Sequence, residues 1–351
     1  MRIAIKCDRL QIDNDGNISG HGAGENLALR LVRVFSDPIL IGQRTHRYQD
    51  FDLMPVELID AENTVVINMD VIDSMAVWAA LHQTCEEPKV MNFVWWDTQR
   101  FQTMVERATL ALSAALFPTF CNSERTAHAV KEGVRRLVVN PLAERSKVSW
   151  VNLGIRLDRV QPRQEPDIPV VLYPAIYLSE RKQPQLFIDV VSKVAKRTDI
   201  VVEARLVESH LISPLAMQLS RHRWTWVGPL LPTRGEYWEA LSRTTAFLAT
   251  AREESYGLEY IEALTAGAIG IFPDADWSRA ILPEGYPFFY NTAQQAENML
   301  LKTVTQTAAC RAELDQAAGG SLAEWLREHH DQDAFESSIV RHVERWFGAK
   351  V

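Results

Sequence analysis

Cysteine is scarce in this chain: four in 351 residues, Cys7, Cys85, Cys121 and Cys310, far apart and without metal-like spacing. Three of them stand in apolar contexts, which fits reduced core thiols of a cytosolic protein. Among nine histidines the one tight pair is His329-His330, expected to be exposed. No long apolar run exists. The longest, Thr109 to Phe117, is too short to cross a bilayer. Met1-Arg2-Ile3-Ala4-Ile5-Lys6 reads as a short strand and not as a signal peptide. Basic charge is not in excess either. The formal net charge is −8, which argues against a nucleic-acid backbone as the main partner, a local basic groove aside.

Apolar residues make up 47% of the chain, enough for large cores, and the length suits two α/β domains. Strand-like and helix-like runs alternate. In the first part the candidate strands are Ile3–Cys7, Pro38–Gly42, Val65–Met69, Val90–Trp96, Phe117–Asn122 and Leu137–Asn140. Leu27, Leu31, Val34 and Phe35 mark one apolar helix face, a second helix is expected over 98–115, and Ser123 is placed to cap a third. The proline-bearing stretch 161–169 reads as a linker. After it the alternation restarts with Val170–Ile176, Ile200–Val207, Trp224–Val227, Ala246–Thr250, Ala268–Phe272 and Tyr286–Tyr290. The expectation is two facing Rossmann-like domains, residues 1–160 and 161–331, with the site in the cleft between them. A final helix follows in 332–351.

The most informative segment is Arg252-Glu253-Glu254-Ser255-Tyr256-Gly257-Leu258-Glu259-Tyr260-Ile261-Glu262-Ala263-Leu264. Strand-like runs on both sides make it a strand, tight turn, helix, strand unit. Glu254 falls on the turn and Glu262 inside the helix. Both can face a pocket at the carboxyl end of the strand, where open α/β sheets bind ligands. The helix start near Gly257 offers backbone N–H groups and a positive dipole end suited to a phosphate. Carboxylates accept hydrogen bonds from sugar or ribose hydroxyls.

This segment resembles the glutamate-x7-glutamate motif of retaining glycosyltransferases of the GT-B fold, specifically the large family 4, glycosyltransferases group 1. Glu254, Tyr256, Gly257, Leu258, Glu262, Ala263, Leu264 and Gly267 all match its pattern. The resemblance implies that Ser255, Tyr256, Gly257 and Leu258 lie along the donor, that Glu254 holds donor-sugar hydroxyls and that Glu262 holds the ribose. It implies that the last helix packs back on the first domain. Gly20-His21-Gly22-Ala23-Gly24, a glycine-rich turn entering a helix, resembles the family's N-terminal loop near the donor diphosphate, with Gly22, Ala23 and Gly24 as donor contacts. Asn152-Leu153-Gly154-Ile155-Arg156-Leu157-Asp158 resembles the segment that ends the family's first domain. In Ile176-Tyr177-Leu178-Ser179-Glu180-Arg181-Lys182, Lys182 stands at the family's diphosphate lysine. Tyr177 holds the usual arginine position and Gln183 the following glycine, so one cation is missing unless Arg181 turns inward. Asp97 follows Trp95-Trp96, with Trp96 in place of a histidine. The aspartate is expected to touch donor sugar or acceptor, or else to cap a helix, and the tryptophans to stack on a sugar or pack in the core. Gly228 is expected in a loop contacting the nucleotide base. Asp274-Ala275-Asp276 looks like a metal motif of another glycosyltransferase fold and is read here as a loop.

The function implied is metal-independent, retaining transfer of a sugar from a UDP-, GDP-, dTDP- or ADP-sugar, with no further cofactor. The acceptor is open: small molecule, lipid-linked glycan, natural product or protein. Cytoplasmic location is expected, with a peripheral contact at the inner membrane face as the family's use of lipid-linked acceptors allows. Lys182, the helix start and the glycine loop would stabilise the departing diphosphate, and domain closure would exclude water. The alternative from another class is a sugar-nucleotide-binding module with weak or no transferase activity.

Overall fold

A computed structural model describes residues 1–351 except Arg9, Gly20, His21, Ala349 and Val351, and not the side chain of Ser19. Gly20 and His21, the entry of the glycine-rich turn, therefore lie outside the described residues. The chain divides into two compact units, Met1–Asn152 with Asp333–Val351, and Leu153–Gln332.

The first unit contains β1 (Arg2–Lys6), the small antiparallel pair β2 (Gln11–Ile12) and β3 (Ile18–Ser19), then β4 (Ile39–Ile41), β5 (His46–Arg47), β6 (Asp52–Met54), β7 (Thr64–Asn68), β8 (Lys89–Val94), β9 (Thr119–Cys121) and β10 (Val148–Trp150). Its main sheet runs β10-β9-β8-β7-β1-β4-β6-β5, parallel except for the edge pair β5–β6. The central strands are buried on both faces, as the apolar runs Ile3-Ala4-Ile5 and Val65-Val66-Ile67 require. The segment Leu137–Asn140, expected as a strand, is instead the end of the helix Glu124–Leu137 and the start of Asn140–Ala143. The strand is Val148–Trp150, whose mixed exposure at the sheet edge gave no apolar run to read. Ser123 accepts the Thr126 amide at 3.2 Å, as its capping pattern suggests. Helix Gln332–Phe347 returns to this unit: Phe335 packs 5.9 Å from Phe93 and 6.1 Å from Phe120, and His342 meets Ser149 Oγ at 2.6 Å.

The second unit contains β11 (Val170–Tyr173), β12 (Val201–Leu206), β13 (Thr225–Pro229), β14 (Ala246–Leu248), β15 (Ile269–Pro273) and β16 (Phe289–Tyr290). The sheet runs β13-β12-β11-β14-β15-β16, and every pair is parallel. Counted within the unit, this is the doubly wound order in which strand direction of travel reverses between the first and fourth strands. That reversal lies between β11 and β14, and the carboxyl ends of strands at such a point are where doubly wound sheets bind ligands. The stretch 161–169, expected as a linker, is tied down inside this unit. Gln164 N donates to Ser242 O at 3.0 Å, and the Arg163 guanidinium bonds Thr244 O and Glu165. The boundary falls earlier, beside Gly154. There a Cβ would strike the backbone of Asp331 and Gln332, and Ile155 N donates to His330 O at 2.9 Å. A glycine is needed because two backbones touch.

Candidate active site at the reversal point of the second sheet

Two loops build the site. The chain leaves β11, makes a single 3-10 turn over Glu180–Lys182, passes through Gln183 and enters the helix Pro184–Val194. Gln183 is left-handed, with φ 45° and ψ 54°, a conformation natural to glycine and uncommon for other residues. Its amide, nitrogen toward Thr250 O at 2.8 Å and oxygen toward Arg252 Nε at 3.0 Å, spans to the loop after β14. Thr250 Oγ1 donates to Lys182 O at 2.5 Å, and Arg252 N to Arg181 O at 3.0 Å. These bonds lock one loop to the other. The missing glycine after the lysine thus costs the turn some strain and gives it a side-chain bridge.

Locked this way, Lys182 Nζ pairs with Glu254 and with Glu259 Oε1, the latter at 2.7 Å. It also lies 5.5 Å from the centre of the Tyr260 ring, whose hydroxyl donates to Glu254 Oε1 at 3.1 Å. Burial opposes charge on both lysine and glutamate. For Lys182 the two carboxylates outweigh burial and hold the proton more tightly than in free lysine. For Glu254 burial and the neighbouring Glu259 charge outweigh the lysine, and its carboxyl sits above the usual carboxylate range. One ammonium faces two carboxylates.

The turn after Glu254 runs through Ser255 and the buried Tyr256 to Gly257, which has φ 82°. Gly257 precedes the helix Leu258–Thr265, and among the described residues no side chain caps that helix. A Cβ at Gly257 would also come within 2.6 Å of the Tyr260 ring. The first-turn amides, Leu258 and Glu259, have no intrahelical acceptor and point to the helix N-terminus. Tyr256 is held from behind by His330, which is 1% exposed, not exposed as its place in a histidine pair suggests. His330 Nε2 lies 3.1 Å from Ile281 O, a pure acceptor, so Nε2 carries the hydrogen. The bare Nδ1 accepts from the Tyr256 hydroxyl. Burial depresses the proton affinity of His330 to about 4, with the Ile281 carbonyl opposing.

Glu262 follows Glu259 by three residues and shares its helix face. It meets a different set of partners. Arg234, at the start of the helix Arg234–Ser242, pairs with Oε1, and Tyr237 OH donates to Oε2 at 2.7 Å. The Arg234 guanidinium lies 4.6 Å from the Tyr237 ring centre. Burial works against the Arg234 cation and Glu262 restores it, leaving the proton more firmly held than in free arginine. Glu259, Tyr260, Arg234 and Tyr237 were not legible as site residues. Glu259 and Tyr260 lie inside the motif yet carry no separate signal, and Arg234 and Tyr237 are 28 and 25 residues from Glu262.

The remaining expected residues are elsewhere. The Arg181 side chain is exposed while its carbonyl is used in the loop lock. Gly228 is not in a loop but inside β13, where a Cβ would collide with the Trp226 ring, itself 4.4 Å from the Arg205 guanidinium. In the first unit Gly22 precedes the helix Ala23–Val34, with no side-chain cap among the described residues. Gly24, inside that helix, gives room to Trp95, whose ring a Cβ would meet at 3.2 Å. Trp96 is a core residue against Phe101 at 4.8 Å. Asp97 Oδ1 accepts the Gln99 amide at 2.9 Å as a cap of the turn Thr98–Arg100, and its Oδ2 is buried with no hydrogen-bond partner among the described residues. Asp274 is engaged by Arg279 Nε at 2.6 Å. Among the described residues no three His, Cys, Asp or Glu side chains are grouped to hold a metal, and no helix is long and apolar enough to cross a membrane.

No family model matches the chain, and no curated protein matches it in sequence. Solved structures do match in shape. HepE of Anabaena in complex with UDP-glucose superposes with a TM-score of 0.69 at 13% identity, over 98% of this chain and 100% of that one. Sucrose-phosphate synthase of Thermosynechococcus elongatus gives 0.72 at 12%, over 99% and 100%. A glycosyltransferase of Rickettsia africae gives 0.72 at 11%, over 98% of each. With two doubly wound units and near-complete coverage on both sides, the chain has the GT-B fold of these glycosyltransferases.

Proposed function

We propose that this chain is a retaining, family 4-like glycosyltransferase that moves a sugar from a nucleoside diphosphate sugar to an acceptor. The observation that carries the reading is the Lys182–Glu254 pair at the reversal point of the second sheet, beside an uncapped helix N-terminus. The hard step is departure of the diphosphate. Lys182 and the amides of Leu258 and Glu259 would meet its developing charge. Glu254 would hold donor-sugar hydroxyls and Glu262 the ribose diol, using the lone pairs that Arg234 and Tyr237 leave. In a front-face course the bond from C1 to phosphate oxygen breaks and the bond from C1 to acceptor oxygen forms on the same face. The acceptor proton passes to the departing phosphate, so no separate base is needed. Nothing in this scheme calls for a metal or coenzyme. Because HepE is described with UDP and UDP-glucose, UDP-sugars are the first donors to test.

A thermal-shift screen across UDP-, GDP-, dTDP- and ADP-sugars tests it. A donor at a hundredfold its dissociation constant adds about 2.7 kcal/mol of apparent stability. Donor hydrolysis, or transfer to a panel of acceptors, should follow for the donor that binds. No shift with any of the four would sink the reading. One observation favours a second reading, a binding module with little or no turnover: Lys182 is matched by two carboxylates, and exposed Tyr177 stands where the family places an arginine. Binding of a nucleotide sugar without hydrolysis or transfer would select it.

A further inference from the structure

Glu259 stands beside the lysine and the helix start that the donor-site reading assigns to the diphosphate. It sits in the first turn of the helix Leu258–Thr265, where an acidic side chain is ordinarily stabilised by the helix dipole. Here it does more than that, because its Oε1 lies 2.7 Å from Lys182 Nζ. A phosphate at the Leu258 and Glu259 amides would face this carboxylate at close range and compete with it for the same ammonium.

The two carboxylates on Lys182 are not equivalent. Glu254 has a side chain 13% exposed and receives a further hydrogen bond from Tyr260 at 3.1 Å. Glu259 has a side chain 33% exposed and needs only a rotation to reach water. Glu254 is thus the fixed partner and Glu259 the displaceable one.

We propose that Glu259 is a built-in competitor of the donor diphosphate: a carboxylate that holds Lys182 in the empty site and must swing out before the diphosphate can take the lysine. The inference rests on the donor-site reading above and adds its regulation. Glu259 is a specificity-setting residue in this scheme. It raises the threshold for anions, so that a free phosphate or pyrophosphate is rejected unless the nucleoside and sugar add contacts of their own.

The test is calorimetric titration of the full chain with inorganic pyrophosphate and, separately, with UDP, comparing wild type with Glu259→Gln and Glu259→Ala. The helix position is partly exposed, so neither change threatens folding. Removing the competing charge should tighten pyrophosphate binding by about tenfold or more at low salt, with the gain shrinking as salt screens it. A role confined to supporting Lys182 would weaken binding instead, so the direction of the change decides. Pyrophosphate affinity unchanged or weakened in both variants overturns the inference, as does a failure of both variants to bind either anion. If UDP binds far more tightly than pyrophosphate and neither gains in the variants, the donor site stands and the competitor is wrong. If pyrophosphate tightens as expected but UDP binds no better than pyrophosphate, the competitor stands and the nucleotide reading falls.

Discussion

Each unit places a lysine among carboxylates where its sheet reverses, and the two arrangements differ in an instructive way. In the first unit Lys6 ends β1, and its Nζ meets Asp73 at 2.6 Å, Asp8 at 2.7 Å and Asp70 at 3.6 Å. Its backbone belongs to the β1–β7 ladder, in register with Asn68. The surrounding polar groups are bound to one another: Asn68 donates to Asp73 and Ser74, and Ser74 to Asn92. In the second unit Lys182 stands in a loop, one residue before a left-handed Gln183, and meets two carboxylates from a distant segment whose helix start has no side-chain cap among the described residues. Lys6 is outnumbered three to one and fixed by a strand. Lys182 is outnumbered two to one, and one of its partners can leave. The topology is shared; the first cluster is tied to a strand, and the second is the one proposed to take an anion.

Lys182→Ala is the strongest way to break this comparison. If Lys182 meets the leaving diphosphate, the variant loses about a hundred- to a thousandfold in turnover, the range for removal of one preorganised electrostatic group. Its melting temperature should fall as well, because the change leaves the largely buried Glu254 and Glu259 facing each other without their cation. Steady-state kinetics with the donor found by screening, read beside calorimetry, checks both halves. Turnover within a few-fold of wild type would equate Lys182 with Lys6.

How much of this was legible beforehand follows the same line. Lys182, Glu254, Gly257 and Glu262 could be singled out because each stands at a fixed spacing within a short segment that resembles a known motif. The second sheet was legible for a related reason: its strands are apolar runs between helices with one apolar face. Partnerships across segments were not. Arg234 meets Glu262, and Gln183 bridges to Thr250 and Arg252, through folding and not through any local pattern. Gly228 and Gly24 were identified as glycines that matter, but the reason is ring packing against Trp226 and Trp95, which no spacing encodes. His330 reads as a surface residue by sequence and is buried because Tyr256 and the Ile281 carbonyl satisfy both ring nitrogens.

That buried histidine gives the next effect in size. Its proton affinity is about 4 in the folded chain against about 6.5 when unfolded. Between those values the unfolded chain binds the extra proton, so stability rises with pH there. The contribution is complete above about pH 6.5 and lost as pH falls toward 4, on the order of 3 kcal/mol in all. Denaturant melts across that window should show the slope, and His330→Gln should flatten it while lowering stability at neutral pH. Loss of stability at the Tyr256 turn through acid, with the first unit unaffected, would separate the two units further.

Lys6→Met carries a smaller expectation, confined to stability. It leaves Asp8, Asp70 and Asp73 facing one another, and burial already lifts Asp70 above the usual carboxylate range. Because Asp8 and Asp73 are partly solvated, water offsets much of the repulsion, and about 1–2 kcal/mol of stability should be lost. Affinity for a nucleoside diphosphate should not change. A variant that melts normally but no longer binds donor would make the first cluster a ligand site and dissolve the contrast.

The smallest effect belongs to Gln183→Gly, and it tests what distinguishes the second loop at the level of backbone. Glycine relieves the left-handed φ of 45°, worth about 1 kcal/mol. Against this stand the greater freedom of a glycine in the unfolded chain, about 0.4–1 kcal/mol, and the loss of two hydrogen bonds. Those bonds are worth about 0.5–1.5 kcal/mol each, less where water reaches the abandoned partners. The balance is a destabilisation of about 1 kcal/mol, a shift of a few degrees at most in a chain of this size. Function should respond more than stability does. Without the Gln183 bridge, the Lys182 loop is tied to the loop after β14 only through the Thr250 hydroxyl on Lys182 O, Arg252 N on Arg181 O and the ion pairs of Lys182 itself, so turnover should fall by more than the melting shift suggests. A change in stability with no change in turnover would mean that these remaining ties hold the lysine, and that the Gln183 bridge serves the fold and not the site.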